Sequence, residues 1–257
     1  MKDSPASPWF ISRPRTDSSP ARIFCFPHAG GSPRAFLDWQ DALGADAEII
    51  AICRPGREHR AAEPAPTISD YVDGAARAIA SASGNRASYL VGHSLGAVIA
   101  FEVCKRLAGA GVAPHRFIAS GCSAPCLLPS ERVRSIARLS GREFAEAIGF
   151  FGGLSAEVIA DDEMRELLLP GIIADFHMAV GYQYAAARPL DIPATVVVGR
   201  DDPHVTAPQA EPWGREFAEP VDQRWVDGGH FYFEPDPAPI TAILAEIVRA
   251  DQHVELI

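Results

Sequence analysis

The sequence predicts an α/β protein with a mostly parallel central sheet and helices on both faces. Short β-branched or aromatic runs alternate along the chain with longer stretches of helical periodicity. The 257 residues, 47% of them apolar, give enough material for one large single-core domain. A third observation refines the class. From about Pro125 to Leu190 the alternation stops, and a helical insertion of this length between two strands is expected to form a lid over whatever the sheet presents.

Residues 1–20 are rich in Ser, Pro and charge and predict a loose arm, from which Trp9 and Phe10 are able to dock on the body. The domain proper is expected over 21–250, followed by a tail at 251–257. Candidate strands are RIFCF (22–26), AEIIAI (47–52), SYLVG (88–92), RFIAS (116–120), ATVVVG (194–199) and QRWV (223–226). Ile68, Val72, Ala75, Ala76 and Ile79 recur at helical spacing, and PAPITAILAEIVRA repeats that pattern near the end of the chain. Within the insertion, REFAEAIGFFGGL, DDEMRELLLPGIIADF and HMAVGYQY read as separate amphipathic helical patches.

Composition excludes several classes of function. A net charge of −10 without a Lys/Arg-dense segment disfavours nucleic acid as a partner. No stretch approaches the roughly 18 uncharged apolar residues of a spanning helix, and the amino terminus lacks a continuous apolar core, so a cytoplasmic protein with no membrane association is expected. The five cysteines are odd in number and three lie in apolar runs, which argues against a disulfide scaffold. Cys122 and Cys126 have no second Cys or His pair at zinc-site spacing, so no metal is expected.

The chemistry centres on LVGHSLGAVIAFEV, residues 90–103. A G-x-S-x-G pentapeptide alone is weak. Here a buried strand precedes Gly92 and a helix follows Ser94 at once, which forces a tight bend and lifts the serine above the sheet. The hydroxyl then stands at the positive end of a helix, exposed to a substrate. The alternative is a serine that merely caps the helix.

A serine nucleophile needs a base, and the base needs an orienting acid. In strand-turn-helix hydrolases these follow in the order serine, acid, histidine. VVVGRDDPHVTAP offers an acid at a strand exit, with Asp202 selected by its spacing from Gly199 and Asp201 as the alternative. VDGGHFYFE offers His230 on a glycine loop past the last strand. His93 is expected to point away from the nucleophile, and His204 to serve at best as a substitute base. His59, His115, His177 and His253 lack the strand-end context. Two backbone N–H groups would receive the oxyanion, from Leu95 and from Ala29 in the loop of FCFPHAGGSPRAF.

FPHAGGSPRAF, RPGREHR, GHSLGAVIAFEV, LLPGIIADF, GRDDP and GGHFYF together resemble the type II thioesterases that accompany modular polyketide and non-ribosomal peptide synthases. The resemblance runs from about residue 22 to 250, with the motifs in order. It implies the α/β-hydrolase fold with a helical lid. It also implies hydrolysis of acyl or aminoacyl thioesters from the phosphopantetheine arm of carrier proteins, without cofactor or metal, with Ser94 as nucleophile, His230 as base, Asp202 as acid, and Ala29 and Leu95 as oxyanion donors. Leu95 stands where many relatives carry Met, and Gln183 where many carry an acid. A monomer is expected.

The arginines of SERVRSIARLSGRE (Arg132, Arg134, Arg138, Arg142) suggest a rim for docking an acidic carrier protein, and a solvated helix face explains them equally well. Rival expectations are a general serine esterase or lipase of the same fold, a product-releasing thioesterase domain, and a non-catalytic protein on the same scaffold. The chain's opening at Met1 with a polar arm disfavours the second. The presence of every triad member disfavours the third.

Overall fold

The computed structural model describes residues 7–14, 19–150 and 152–254. Among them, seven strands form one sheet in the order β1-β3-β2-β4-β5-β6-β7. They are β1 (Phe10–Ile11), β2 (Ala21–Phe26), β3 (Ala47–Ile52), β4 (Ala87–His93), β5 (Arg116–Ser120), β6 (Ala194–Gly199) and β7 (Asp222–Val226). All six expected strands are present, and every pairing is parallel except β1 against β3.

The helices are α1 (Trp39–Leu43), α2 (Ile68–Ser83), α3 (Leu95–Gly109), α4 (Glu131–Ile136), α5 (Gly141–Gly149), α6 (Ala156–Ala160), α7 (Asp162–Val180), α8 (Ala207–Ala210) and α9 (Ala238–Val254). The central strands are buried on both faces, which is why they read as continuous apolar runs. On β2 the side chains divide by alternation. Phe24 and Phe26 pack in one cluster with Val72 and Ile79 of α2 and Val98 and Phe101 of α3. Ile23 and Cys25 pack in the other with Trp39 of α1 and Ile240, Leu244 and Val248 of α9. Arg22, the one charged residue on this strand, faces its register partner Glu48 on β3 through a buried ion pair at 3.0 Å.

Two boundaries differ from the sequence reading. Part of the segment expected to be loose is ordered, because Phe10–Ile11 completes the sheet edge as β1. Trp9 stacks on Tyr71 with ring centroids 5.9 Å apart, under the Arg60 guanidinium at 4.3 Å. The rest of that expectation falls partly on residues 1–6 and 15–18, outside the described residues. At the other end α9 continues through Val254 past the boundary expected at 250, and 255–257 are again outside the described residues.

Helices α4 to α7 fill the β5–β6 connection. They carry a small core of their own: Ile136, Phe144, Ala145, Ile148, Leu169 and Ile172. Two of the separate helical patches merge, since α7 runs unbroken through Pro170 and ends at Val180, leaving GYQY outside it.

Candidate active site

Loops from the carboxyl ends of β2, β4, β5, β6 and β7 converge on one pocket of about 570 Å³, roofed by residues of the insertion. Ser94 enters it from the apex between β4 and α3. Its φ of 53° lies in the left-handed region, a strained position for a residue with a side chain. The neighbouring glycines make the bend possible. A Cβ on Gly92 would stand 2.2 Å from the Gly96 carbonyl oxygen, and one on Gly96 would stand 2.1 Å from that of Phe26. The bend is held by the Ser94 N–H donating to the Ser120 carbonyl at 2.9 Å. Ser94 occupies the N-cap position of α3, but its side chain makes no capping hydrogen bond, so the alternative of a simple cap falls.

His230 follows Gly228, whose φ is 112°, and Gly229. Their backbone packs so tightly on the β6 exit that a Cβ on Gly199 would be 2.3 Å from the Gly229 carbonyl oxygen. The loop is tied there by Asp201 N–H donating to Gly228 at 3.0 Å and Arg200 N–H donating to Val226 at 2.8 Å. His230 Nδ1 lies 2.8 Å from Asp202 Oδ2, while Oδ1 accepts from the backbone N–H of His204 at 2.8 Å and of Val205 at 3.3 Å. Burial opposes ionisation of Asp202. The His230 hydrogen bond and charge, with the His204 N–H, outweigh it and lower the carboxyl pKa. Of the two acids left open by the sequence, Asp202 pairs with His230, and Asp201 is exposed.

Ala29 and Leu95 line the same pocket as Ser94 and His230. Leu95 is the first residue of α3, where backbone N–H groups lack intrahelical partners. His93 is buried and turned into the protein, with Nδ1 2.9 Å from Ser120 Oγ, itself 2.8 Å from Tyr232 Oη. His204 reaches the pocket edge-on to His230, ring centroids 5.3 Å apart. Burial, then the charges of His230 and Arg132, depress its pKa to about 4. His28, which lines the pocket against Phe231, is likewise lowered to about 4 by burial and then by His230. Burial, with Asp202 nearby, pushes the Cys122 thiol up to about 12, which keeps it protonated and a poor competitor to the serine.

The sequence reading missed a second set of polar residues beside this pocket, of which Arg57 alone reaches its lining. Arg54 and Arg57, from the loop after β3, meet Asp175 of α7. The available signal was a lone carboxylate in the apolar stretch LLLPGIIADF. Among the described residues no cluster of three or more His, Cys, Asp or Glu side chains is arranged to hold a metal, and no helix is long and apolar enough to cross a membrane.

The profile of the thioesterase domain family matches residues 21–249. The chain belongs to the thioesterase family. This thioesterase is 30% identical to the gramicidin S biosynthesis protein GrsT of Aneurinibacillus migulanus, over 89% of each chain. Among solved structures it is similar to the RedJ thioesterase of the prodiginine pathway of Streptomyces coelicolor, at 30% identity and a TM-score of 0.82, covering 89% of this chain and 90% of that one. YbtT, a type II thioesterase from the yersiniabactin pathway, is 31% identical with a TM-score of 0.79, covering 93% and 95%. The thioesterase is therefore a hydrolase of the α/β-hydrolase fold, similar to enzymes of biosynthetic pathways, of which YbtT is named a type II thioesterase of a combined peptide and polyketide synthase pathway.

Proposed function

We propose that this thioesterase removes acyl or aminoacyl groups from the phosphopantetheine arm of carrier proteins in a peptide or polyketide synthase, as an editing enzyme. The observation that carries the reading is the convergence of Ser94, Leu95, Ala29 and His230 on one pocket, with Asp202 behind the imidazole. The names of the relatives supply the substrate class.

Asp202 holds Nδ1 of His230, which leaves Nε2 to take the proton of Ser94 as its oxygen attacks the thioester carbonyl. Ala29 and Leu95 donate backbone N–H groups to the developing oxyanion. The leaving thiol has a pKa of about 8.5, so it departs with little acid assistance and then takes up the proton held by His230, which returns the imidazole to its neutral form. Water activated by His230 then cleaves the acyl-serine and releases a free acid. The mostly apolar lining suits the hydrocarbon part of the acyl group, with Val98, Val133, Ile148, Ile172, Phe176 and Tyr182 as walls.

Carrier proteins are acidic, and this chain carries −10, so docking requires a local basic rim. Arg134 and Arg138 on and after α4 are exposed, and Arg132 lines the pocket while lying 4.7 Å over Phe150. Hydrolysis of acyl-carrier protein and acyl-pantetheine, compared with oxygen esters of the same acyl group, tests the assignment. A preference for thioesters supports it, and a preference for oxygen esters assigns a general esterase. Charge reversal at Arg134 and Arg138 is expected to weaken turnover of the carrier-bound substrate only; equal loss with free acyl-pantetheine, or no loss, overturns the docking rim.

A further inference from the structure

Asp175 is a buried carboxylate that the hydrolytic chemistry does not use. It projects from α7 and is 3% exposed. Oδ2 accepts the backbone N–H of Gly30 at 2.8 Å and Arg57 Nη2 at 2.6 Å, and Oδ1 pairs with Arg54. Arg57 Nη2 also donates to the Gly171 carbonyl one turn earlier on α7, at 2.8 Å. Three separate segments therefore meet on one carboxylate: the loop after β2, the loop after β3, and the longest helix of the insertion.

The peptide that Asp175 grips lies immediately after the residue assigned as an oxyanion donor. Gly30 has a φ of 80° and packs against Ile172 of the same helix, where a Cβ would stand 3.0 Å from the Ile172 side chain. A glycine in this conformation has little intrinsic preference between competing backbone states, so an outside acceptor must choose one. The carboxylate fixes the Ala29–Gly30 peptide plane through the Gly30 N–H, and the Gly31 N–H donating to the His28 carbonyl at 3.0 Å closes the turn around it, so that together they hold the short loop that carries the Ala29 N–H. Two guanidiniums offset the charge of this carboxylate, so it acts as an acceptor without placing net negative charge beside the position where an oxyanion forms.

We propose that Asp175 is a positioning residue that ties the insertion to the oxyanion loop, so that the Ala29 donor is aligned only while α7 lies over the pocket. A displacement of α7 removes the acceptor from Gly30 and leaves Arg54 and Arg57 without their carboxylate. Closure of the insertion over an acyl chain and assembly of the oxyanion site are then one event. The proposal rests on the serine-hydrolase reading given above.

The test is Asp175→Asn, which keeps shape and loses the charge that holds both arginines. Wild-type hydrolysis of acyl-pantetheine is measured first, and its absence would overturn the functional reading rather than this one. In D175N, kcat is expected to fall about 10- to 100-fold with KM within about two-fold, less than the 10²- to 10³-fold cost of deleting an oxyanion donor. Affinity for a trifluoromethyl ketone analogue, which forms a tetrahedral adduct on the serine, should fall by the same factor. Affinity for a non-reacting thioether analogue should not change. An unchanged kcat, or equal losses with both analogues, overturns the proposal, since the second pattern signals only a damaged pocket wall. If D175N does not fold, Arg57→Gln is expected to show the same pattern at a few-fold size, and an unchanged kcat there overturns the proposal equally.

Discussion

The loops beneath the pocket and the helices above it are held by different means. Below, Ser94, Asp202 and His230 sit on strand ends locked by backbone contacts: the Ser94 N–H on Ser120, the Asp201 N–H on Gly228, and glycines at 92, 96 and 199 where no Cβ fits. Above, helices α4 to α7 share a core of six buried apolar residues and leave Phe150 66% and Leu167 74% exposed. Their attachment beside the oxyanion loop combines the packing of Ile172 on Gly30 with the polar contacts of Asp175. The triad proposed for these three residues requires sub-ångström placement, which a close-packed sheet supplies. A cover that must admit substrates is drawn from the less stable end of the molecule.

That contrast can be broken by experiment, beginning where the effect is greatest. Ser94→Ala is expected to lower kcat by more than about 10⁴-fold without altering the far-ultraviolet circular dichroism. Substantial residual turnover would place the nucleophile elsewhere. Asp202→Asn should cost about 10³- to 10⁴-fold in kcat by releasing the His230 tautomer, with the fold retained. A loss no larger than ten-fold would mean that the His204 and Val205 N–H groups, rather than the histidine, are what the carboxylate serves.

Gly96→Ala sharpens the comparison on the stability side. Its Cβ would meet the Phe26 carbonyl oxygen at 2.1 Å, so a loss of about 3 kcal/mol in urea denaturation is expected. Phe144→Ala, in the core of the insertion, should cost a similar amount but locally. Amide exchange is expected to quicken about a hundred-fold in α4 to α7 while β2 and β4 keep their protection. Uniform loss across the sheet would show that insertion and sheet unfold as one unit.

The smallest effect concerns pH. His28 has its folded pKa lowered to about 4, below the ordinary 6.5, by burial and then by the charge of His230. Between these values the unfolded chain binds the extra proton, so stability falls as pH drops from 6.5 towards 4, by up to about 1 kcal/mol per pH unit from this one ring. His28→Gln should flatten that slope in urea titrations at pH 7, 6 and 5, and an unchanged slope would reassign it to other groups.

The six parallel strands, the serine bend and the glycine loop before His230 were legible from the sequence because each depends on neighbours in the chain. Continuous apolar runs mark doubly covered strands, and glycines two residues either side of Ser94 mark a turn too tight for side chains. Spacing from Gly199 already selected Asp202 over Asp201, and the coordinates add the reason, since Asp202 is the one that meets His230 while Asp201 faces solvent. The edge strand at Phe10–Ile11 is too short to carry a pattern and exists through its pairing with β3. The meeting of Arg54, Arg57, Gly30 and Asp175 was beyond any local reading. A carboxylate 145 residues from the N–H it accepts has no periodicity to announce it, and the guanidiniums that compensate its buried charge come from a loop on a different strand.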